Sequence, residues 1–131
     1  MTKIIADITM SLDGYVTAPD PNLEHGLGVG GEPLHHWAVE SDDPVDVEIL
    51  ATSTEQTGAV IMGGGDVIAQ SIAEGLADEL RLHLAPLVLG GGTPLFPAGT
   101  IHTLEQQEVR VSRFATHLRY AVRCTSADVS A

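Results

Sequence analysis

The sequence is poor in positive charge. Its 131 residues include only six Lys and Arg against 18 Asp and Glu, which gives a formal net charge of −12. Nucleic acids and anionic membranes are bound by basic surfaces, so we expect neither as a partner. Most of the arginines lie in the last quarter of the chain, at Arg110, Arg113, Arg119 and Arg123. An anionic ligand held near the middle of the chain must therefore use backbone N–H groups or arginines brought there by folding.

The sequence is also poor in cysteine and in long apolar runs. Cys124 is the only cysteine, which excludes an internal disulfide and favours a reducing, cytoplasmic location. No run approaches the ~18 apolar residues of a membrane-spanning helix. His25, His35 and His36 lie close together, but no further ligand follows at a spacing typical of a metal site, so we predict none. No arrangement of Ser or Cys with His indicates a nucleophile.

Apolar periodicity predicts alternating strands and helices in the first two thirds of the chain. Continuous or alternating apolar runs predict strands at 3–10, 15–17, 58–62 and 80–89. A helix is predicted over 45–55 with Val47 and Leu50 facing inward, and a second over 66–73 with Val67, Ile68 and Ile72 on one face. Alternation over 104–111 and 117–124 predicts a C-terminal antiparallel hairpin. Together these elements predict one α/β domain with a mixed sheet covered by helices.

Three glycine turns are expected at one edge of this sheet. They are Asp13-Gly14, the run from Gly63 to Gly65, and the run from Gly90 to Gly92, and each follows a predicted strand. Ligands of α/β proteins bind at the carboxyl ends of the strands. The convergence of three such turns therefore predicts a ligand site there.

The turn Gly63-Gly64-Gly65-Asp66 joins a strand to a helix start, where free N–H groups and the helix dipole favour a phosphate. The alternative is a tight turn with Asp66 as the helix N-cap. Asp13 could orient a ligand or donate a proton, although Asp-Gly is first of all a turn dipeptide. Trp37 could anchor a loop or form part of a lid. A glycine-lined site without a nucleophile suits a cofactor that carries its own chemistry, such as a nicotinamide.

Three stretches of the sequence resemble one family. Within residues 62–96 a glycine turn, a helix, the motif Gly75-Leu76-x-Asp78-Glu79-Leu80, a strand with Ala85-Pro86, a second glycine turn and Leu95-Phe96 follow in order, and residues 8–15 add a third match. These stretches are similar to the dihydrofolate-reductase-like family, which includes the C-terminal reductase domain of bacterial riboflavin biosynthesis.

The resemblance implies a three-layer α/β/α sandwich over residues 1–131, closed by a C-terminal antiparallel hairpin. It implies a homodimer that transfers a hydride from NADPH to a pterin-, pyrimidine- or flavin-precursor-like molecule. Asp13 becomes the catalytic candidate. The residues carried over to the cofactor site are Gly63, Gly64, Gly65, Asp66, Val67, Leu89 and Gly90, and those carried over to the substrate cleft are Met10, Gly14, Trp37 and Phe96.

The sequence departs from the family near residues 62–63. In the family the strand at 58–62 continues into Gly-Arg and a helix, and several tens of residues follow before a later strand delivers the Gly-Gly-Gly turn. Here the first strand runs directly into that turn, which indicates a missing central segment, either in the chain itself or in the sequence as given. The segment normally carries basic residues for the NADP 2′-phosphate. The alternative function is therefore a non-enzymatic ligand-binding or dimerisation relative that has lost the cofactor half.

Overall fold

The computed structural model describes residues 4–20, 22, 24, 27–55, 59–61, 65–96 and 101–122, without the side chains of 53–55, 59–61 and 65–66. The strands in this part of the chain are β1 (Ile4–Ser11), β2 (Tyr15–Thr17), β3 (Ala59–Ile61), β4 (Glu79–Ala85), β5 (Thr93–Pro94), β6 (Leu104–Val111) and β7 (Thr116–Val122). The helices are α1 (His36–Val39), preceded by a 3-10 turn over Glu32–His35, α2 (Pro44–Glu55) and α3 (Gly65–Ala73). None of these helices has the length and apolar character needed to cross a membrane.

The main sheet has five strands in the order β3-β1-β4-β7-β6. Strands β3, β1 and β4 are parallel, whereas β7 and β6 are antiparallel to their neighbours. The chain leaves β1 through α2 to reach β3 on one side, and then crosses through α3 to β4 on the other side. Parallel crossovers are right-handed, so these opposite directions place α2 and α3 on opposite faces of the sheet. The predicted three-layer α/β/α sandwich with a C-terminal hairpin is confirmed.

The face covered by α3, the apolar face, holds the hydrophobic core. Ala6 on β1 and Leu80 and Leu82 on β4 pack against Ile68 and Ile72 of the helix. Ile68 and Ile72 are four residues apart and so lie on the same side of α3. Val67, which was predicted to join them, is 49% exposed, because the helix has a narrower apolar stripe than the sequence suggested.

The opposite face, the polar face, carries ionisable side chains beneath α1 and α2. Two of them, His83 on β4 and His117 on β7, are directly paired across the sheet and buried. The prediction that Val47 and Leu50 face inward on α2 is wrong, since both are exposed and Asp46 is the fully buried side chain. The physical reason is that the helix packs on histidine rather than on apolar residues, so a carboxylate is the complementary group.

One strand end and one bulge complete the comparison with the sequence. β4 ends at Ala85 instead of residue 89, because Pro86 has no N–H to continue the ladder. A bulge in β6 places Gln107 between Gln106, which pairs with Tyr120, and Glu108, which pairs with Arg119. The junction at Met62 and Gly63 lies outside the described residues, so the missing central segment stays a prediction.

Candidate functional site

Two of the three predicted glycine turns meet at the carboxyl ends of the parallel strands, an edge that we call the carboxyl edge. The carboxylate of Asp13, just beyond β1, accepts hydrogen bonds from the backbone N–H of Gly90 at 2.8 Å and of Leu89 at 3.2 Å. The backbone N–H of Leu12 donates to the carbonyl of Leu87 at 2.8 Å. The loop after β1 is therefore tied to the loop after β4 through Asp13.

Asp13 is held as a carboxylate. The hydroxyl of Ser11 donates to Asp13 Oδ1 at 2.5 Å, and this bond, followed by those from the amides of Gly90 and Leu89, lowers the pKa of Asp13 from its usual value. Each donor stabilises the ionised form. At neutral pH Asp13 is thus an acceptor that fixes the loop geometry, and its electrostatics do not favour proton donation.

The backbone at Gly92 also lies very close to the backbone at Thr17. Gly92 has φ +133°, and a Cβ atom there would overlap the carbonyl oxygen of Thr17. The strands β2 and β5 pair at this point, and the hydroxyls of Thr17 and Thr93 lie 2.8 Å apart. A Cβ atom at Gly14 or Gly90 would meet nothing within 4 Å, so open space lies beside both of these glycines.

The remaining candidate residues are distributed over both faces. Met10 and Phe96 are half-buried and pack against the hydrophobic core of the apolar face. Trp37 lies on the polar face instead, where its indole Nε1 donates to Thr9 Oγ1 at 3.0 Å, so the structure separates it from Met10. Val67 is exposed near the start of α3. Gly65 is the first residue of α3, whereas Gly63, Gly64 and the side chain of Asp66 lie outside the described residues.

The polar face contains a buried cluster that the sequence did not reveal. His83 Nδ1 and His117 Nδ1 lie 2.8 Å apart, and we call these two residues the histidine pair. The other ring nitrogen of His83 is 2.8 Å from Asp7 Oδ1, and that of His117 is 2.6 Å from Asp46 Oδ1. The ring of Trp37 packs on His83, with centroids 4.3 Å apart. The cluster ties α1 and α2 to three strands.

A cleft of about 390 Å³ opens on the polar face beside this cluster. It is lined by charged side chains of both signs, including Asp7, Glu48, Arg81, Arg110 and Arg119. The arginines are engaged in ion pairs: Arg110 binds Glu48 through two contacts of 3.1 Å, and Arg81 binds the buried Glu79. Because the charged residues that line it belong to α2 and to the polar face of the sheet, the cleft lies away from the Asp13 loops.

Two features of the carboxyl edge suit an anion. α3, the element that follows β3 in the chain, begins at Gly65, and a helix start presents free N–H groups to an anion. The turn between β6 and β7 reaches the same edge, because Thr116 pairs with Leu84 near the end of β4. That turn carries Arg113, which is exposed and lies 5.4 Å from the ring of Phe114.

The mixed sheet, the opposed helices and the paired loops define a dihydrofolate-reductase-like α/β protein. The family model of the RibD C-terminal domain matches residues 39–120, well over half of the chain. The chain therefore belongs to the RibD C-terminal domain family. A search of curated proteins gave no significant match.

Solved structures agree on the fold. RibD of Acinetobacter baumannii superposes with a TM-score of 0.61 at 16% identity over 94% of this chain, which spans 58% of that one. A pyrimidine reductase-like protein of Corynebacterium diphtheriae gives 0.58 at 13% identity, covering 94% of this chain and 92% of that one. The riboflavin biosynthesis reductase Rib7 of Saccharomyces cerevisiae gives 0.54 at 14% identity, covering 94% and 89%.

Proposed function

We propose that the protein is an NADPH-dependent reductase that transfers a hydride to a small pterin-, pyrimidine- or flavin-precursor-like molecule. The observation that carries the proposal is the bridge from Asp13 to the amides of Leu89 and Gly90, because it brings two loops that follow parallel strands into one site. Membership of the RibD C-terminal domain family supports it, as do similar folds described as reductases from yeast and Corynebacterium diphtheriae.

NADPH, when bound, would supply the hydride, and the chain would bind and orient the reactants. The start of α3 and the turn of Gly63 to Asp66 would hold its phosphates, with Val67 beside them. Leu89 and Gly90 would border the nicotinamide, while Met10, Gly14 and Phe96 would border the acceptor. Asp13 would act as a positioning residue, since it holds both loop amides in place. We also propose that the protein is a homodimer, and light scattering would give its molar mass in solution.

Cofactor binding is the direct test. NADPH is titrated while energy transfer from Trp37, the only tryptophan, is recorded, and calorimetry gives an independent Kd. We expect binding in the range of about 1 μM to 1 mM that enzymes show for their substrates. NADH and Arg113→Gln are compared with NADPH and the parent protein to show whether the 2′-phosphate is recognised. Absence of heat and of energy transfer at millimolar NADPH would refute the proposal.

Turnover separates the enzyme from a binding module. Oxidation of NADPH is followed with pyrimidine, pterin and flavin-precursor acceptors. Binding without turnover for any of them would favour the ligand-binding alternative. With turnover, Asp13→Asn should lower kcat/KM several-fold while the far-ultraviolet spectrum stays unchanged, because the loop amides lose a charged acceptor. Asp78→Asn is the matched control, because Asp78 Oδ2 likewise accepts from a backbone N–H, that of Ile4, but lies before β4 at the opposite end of the sheet.

A further inference from the structure

The buried histidine pair poses a question of proton number. Three short contacts run in series from Asp7 through His83 and His117 to Asp46, at 2.8, 2.8 and 2.6 Å. Each such contact is a hydrogen bond only if one proton lies between its two heavy atoms. Two neutral imidazoles and two carboxylates supply only two protons. A third proton is therefore required to satisfy all three contacts.

The carboxylates are poor places for that third proton. Asp46 is fully buried and accepts from the hydroxyl of Ser41 at 2.6 Å as well as from His117. Hydrogen bonds from Ser41, Ser112 and His117 hold the pKa of Asp46 below its usual value despite its burial. Asp7 is partly open to solvent on the cleft, where its charged form is hydrated. The two imidazole rings are therefore the better place for the third proton.

The aromatic and charged surroundings favour a cation at His83. The Trp37 ring lies 4.3 Å from the His83 ring at an interplanar angle of 31°, and an indole face attracts a cation. Burial lowers the pKa of His117, so the His117 ring stays neutral and its Nδ1 can accept a hydrogen bond from His83. His83 would then donate from both nitrogens, to Asp7 and to His117.

The elements packed around the pair carry excess negative charge. Asp7 from β1 and Asp46 from α2 contact the pair, and the cleft beside it is lined by Glu79 and Arg81 from β4, Arg119 from β7, Glu108 and Arg110 from β6, and Glu48 from α2. Five of these groups are carboxylates and three are guanidinium groups. On α1, His36 is engaged with Glu40 at 3.0 Å. An additional positive charge on the pair brings this cluster closer to neutrality.

We propose that the histidine pair holds one shared proton beyond two neutral rings, and that this proton fastens α1 and α2 to the polar face of the sheet. His83 is the imidazolium, clamped between Asp7, Trp37 and His117. Without the proton, two lone pairs face each other at the central contact and the bond is lost. Acceptance of a second extra proton is opposed by the first, because both rings are buried and adjacent. This arrangement of the histidine pair requires neither cofactor nor substrate.

Histidine nitrogen NMR on the labelled, ligand-free protein tests the proton number directly. At pH 7 we expect one ring protonated on both nitrogens and one neutral ring protonated on Nε2. Assignments come from His83→Gln and His117→Gln, and His35→Gln, an exposed histidine near α1, is the control. Two neutral rings at pH 7, or two rings that titrate like His35, would overturn the proposal.

Fluorescence of Trp37 supplies a second measurement, because a nearby imidazolium quenches indole emission. Emission should rise as an alkaline titration removes the shared proton from the histidine pair. The rise should persist in His35→Gln and disappear in His83→Gln, with folding of each variant checked by circular dichroism. A pH-independent parent, or an unchanged rise in His83→Gln, contradicts the inference. A chelator is added in parallel, and loss of the rise on chelation would show that a metal rather than a proton joins the rings.

Discussion

The burial of Asp46 predicts a large loss of stability in Asp46→Ala. The substitution removes the acceptor for His117 Nε2, 2.6 Å away, and for the Ser41 hydroxyl, also 2.6 Å away, in a place with no solvent access. A buried donor left without an acceptor costs about 1–3 kcal/mol, and two donors lose their acceptor here, so we expect a loss of about 2–6 kcal/mol. At about 4 °C per kcal/mol for a domain of this size, Tm should fall by about 8–24 °C. Domains are stable by only about 5–15 kcal/mol, so the loss is a sizeable fraction.

Urea unfolding at pH 7, followed by circular dichroism, gives the free energy of unfolding. Asp42→Ala is the matched control, since Asp42 is an exposed aspartate just before the same helix, and it should change the free energy by less than about 1 kcal/mol. Asp46→Asn keeps an acceptor for the His117 N–H and should cost less than the alanine variant, about 1–2 kcal/mol. If Asp46→Ala lies within 1 kcal/mol of the parent protein, our account of the polar face is wrong.

Three further predictions follow from the loops, the core and the ionised groups. Gly92→Ala should destabilise the protein by more than about 2 kcal/mol, whereas Gly90→Ala, with open space beside it, should cost about 1 kcal/mol; equal losses in urea unfolding would contradict the close approach to β2. Ile68→Ala should cost about 2–5 kcal/mol in the same assay, because its side chain is fully buried under α3, and a loss below 1 kcal/mol would exclude it from the core. The free energy of unfolding should fall on acidification below about pH 6.5, because burial lowers the pKa of His117 and the unfolded chain then binds more protons than the folded one. A further fall is expected below about pH 3.8, because the pKa of Asp46 is lowered in the folded protein. A constant free energy of unfolding between pH 7 and 4 would refute the first of these predictions.

Apolar periodicity predicted the parts of the fold that bury carbon. β1, β4 and α3 could be placed because Ile, Leu and Ala recur at the period of a strand or a helix. The meeting of two glycine turns was predictable from the rule that parallel strands end at one edge of the sheet. Asp13 was correctly placed in that turn, but its bonds to Leu89 and Gly90 depend on loop geometry that no local pattern encodes.

The polar face could not be predicted because it depends on register between distant strands. His83 and His117 each occupy an alternating position of a strand, and the only available signal was that alternation. Their contact exists because β7 pairs with β4 so that the two residues lie directly opposite. Without that register, Val47 and Leu50 of α2 looked like the inward side chains, whereas a carboxylate was required there.

The bulge at Gln107 has a consequence for how this chain could tolerate a change in length. Before the bulge Gln106 lies opposite Tyr120, and after it Val109 lies opposite Leu118, on the same face of the sheet. The strand therefore contains one extra residue, and the side chains before and after it keep their faces. Deleting Gln107 would restore strict alternation and leave every remaining side chain of β6 on its present face. A single-residue insertion between Glu108 and Arg110 would instead put these two side chains on opposite faces of the strand. Deletion of Gln107 would thus shorten β6 without inverting any remaining side chain, at the expense of the 3.1 Å hydrogen bond from Arg119.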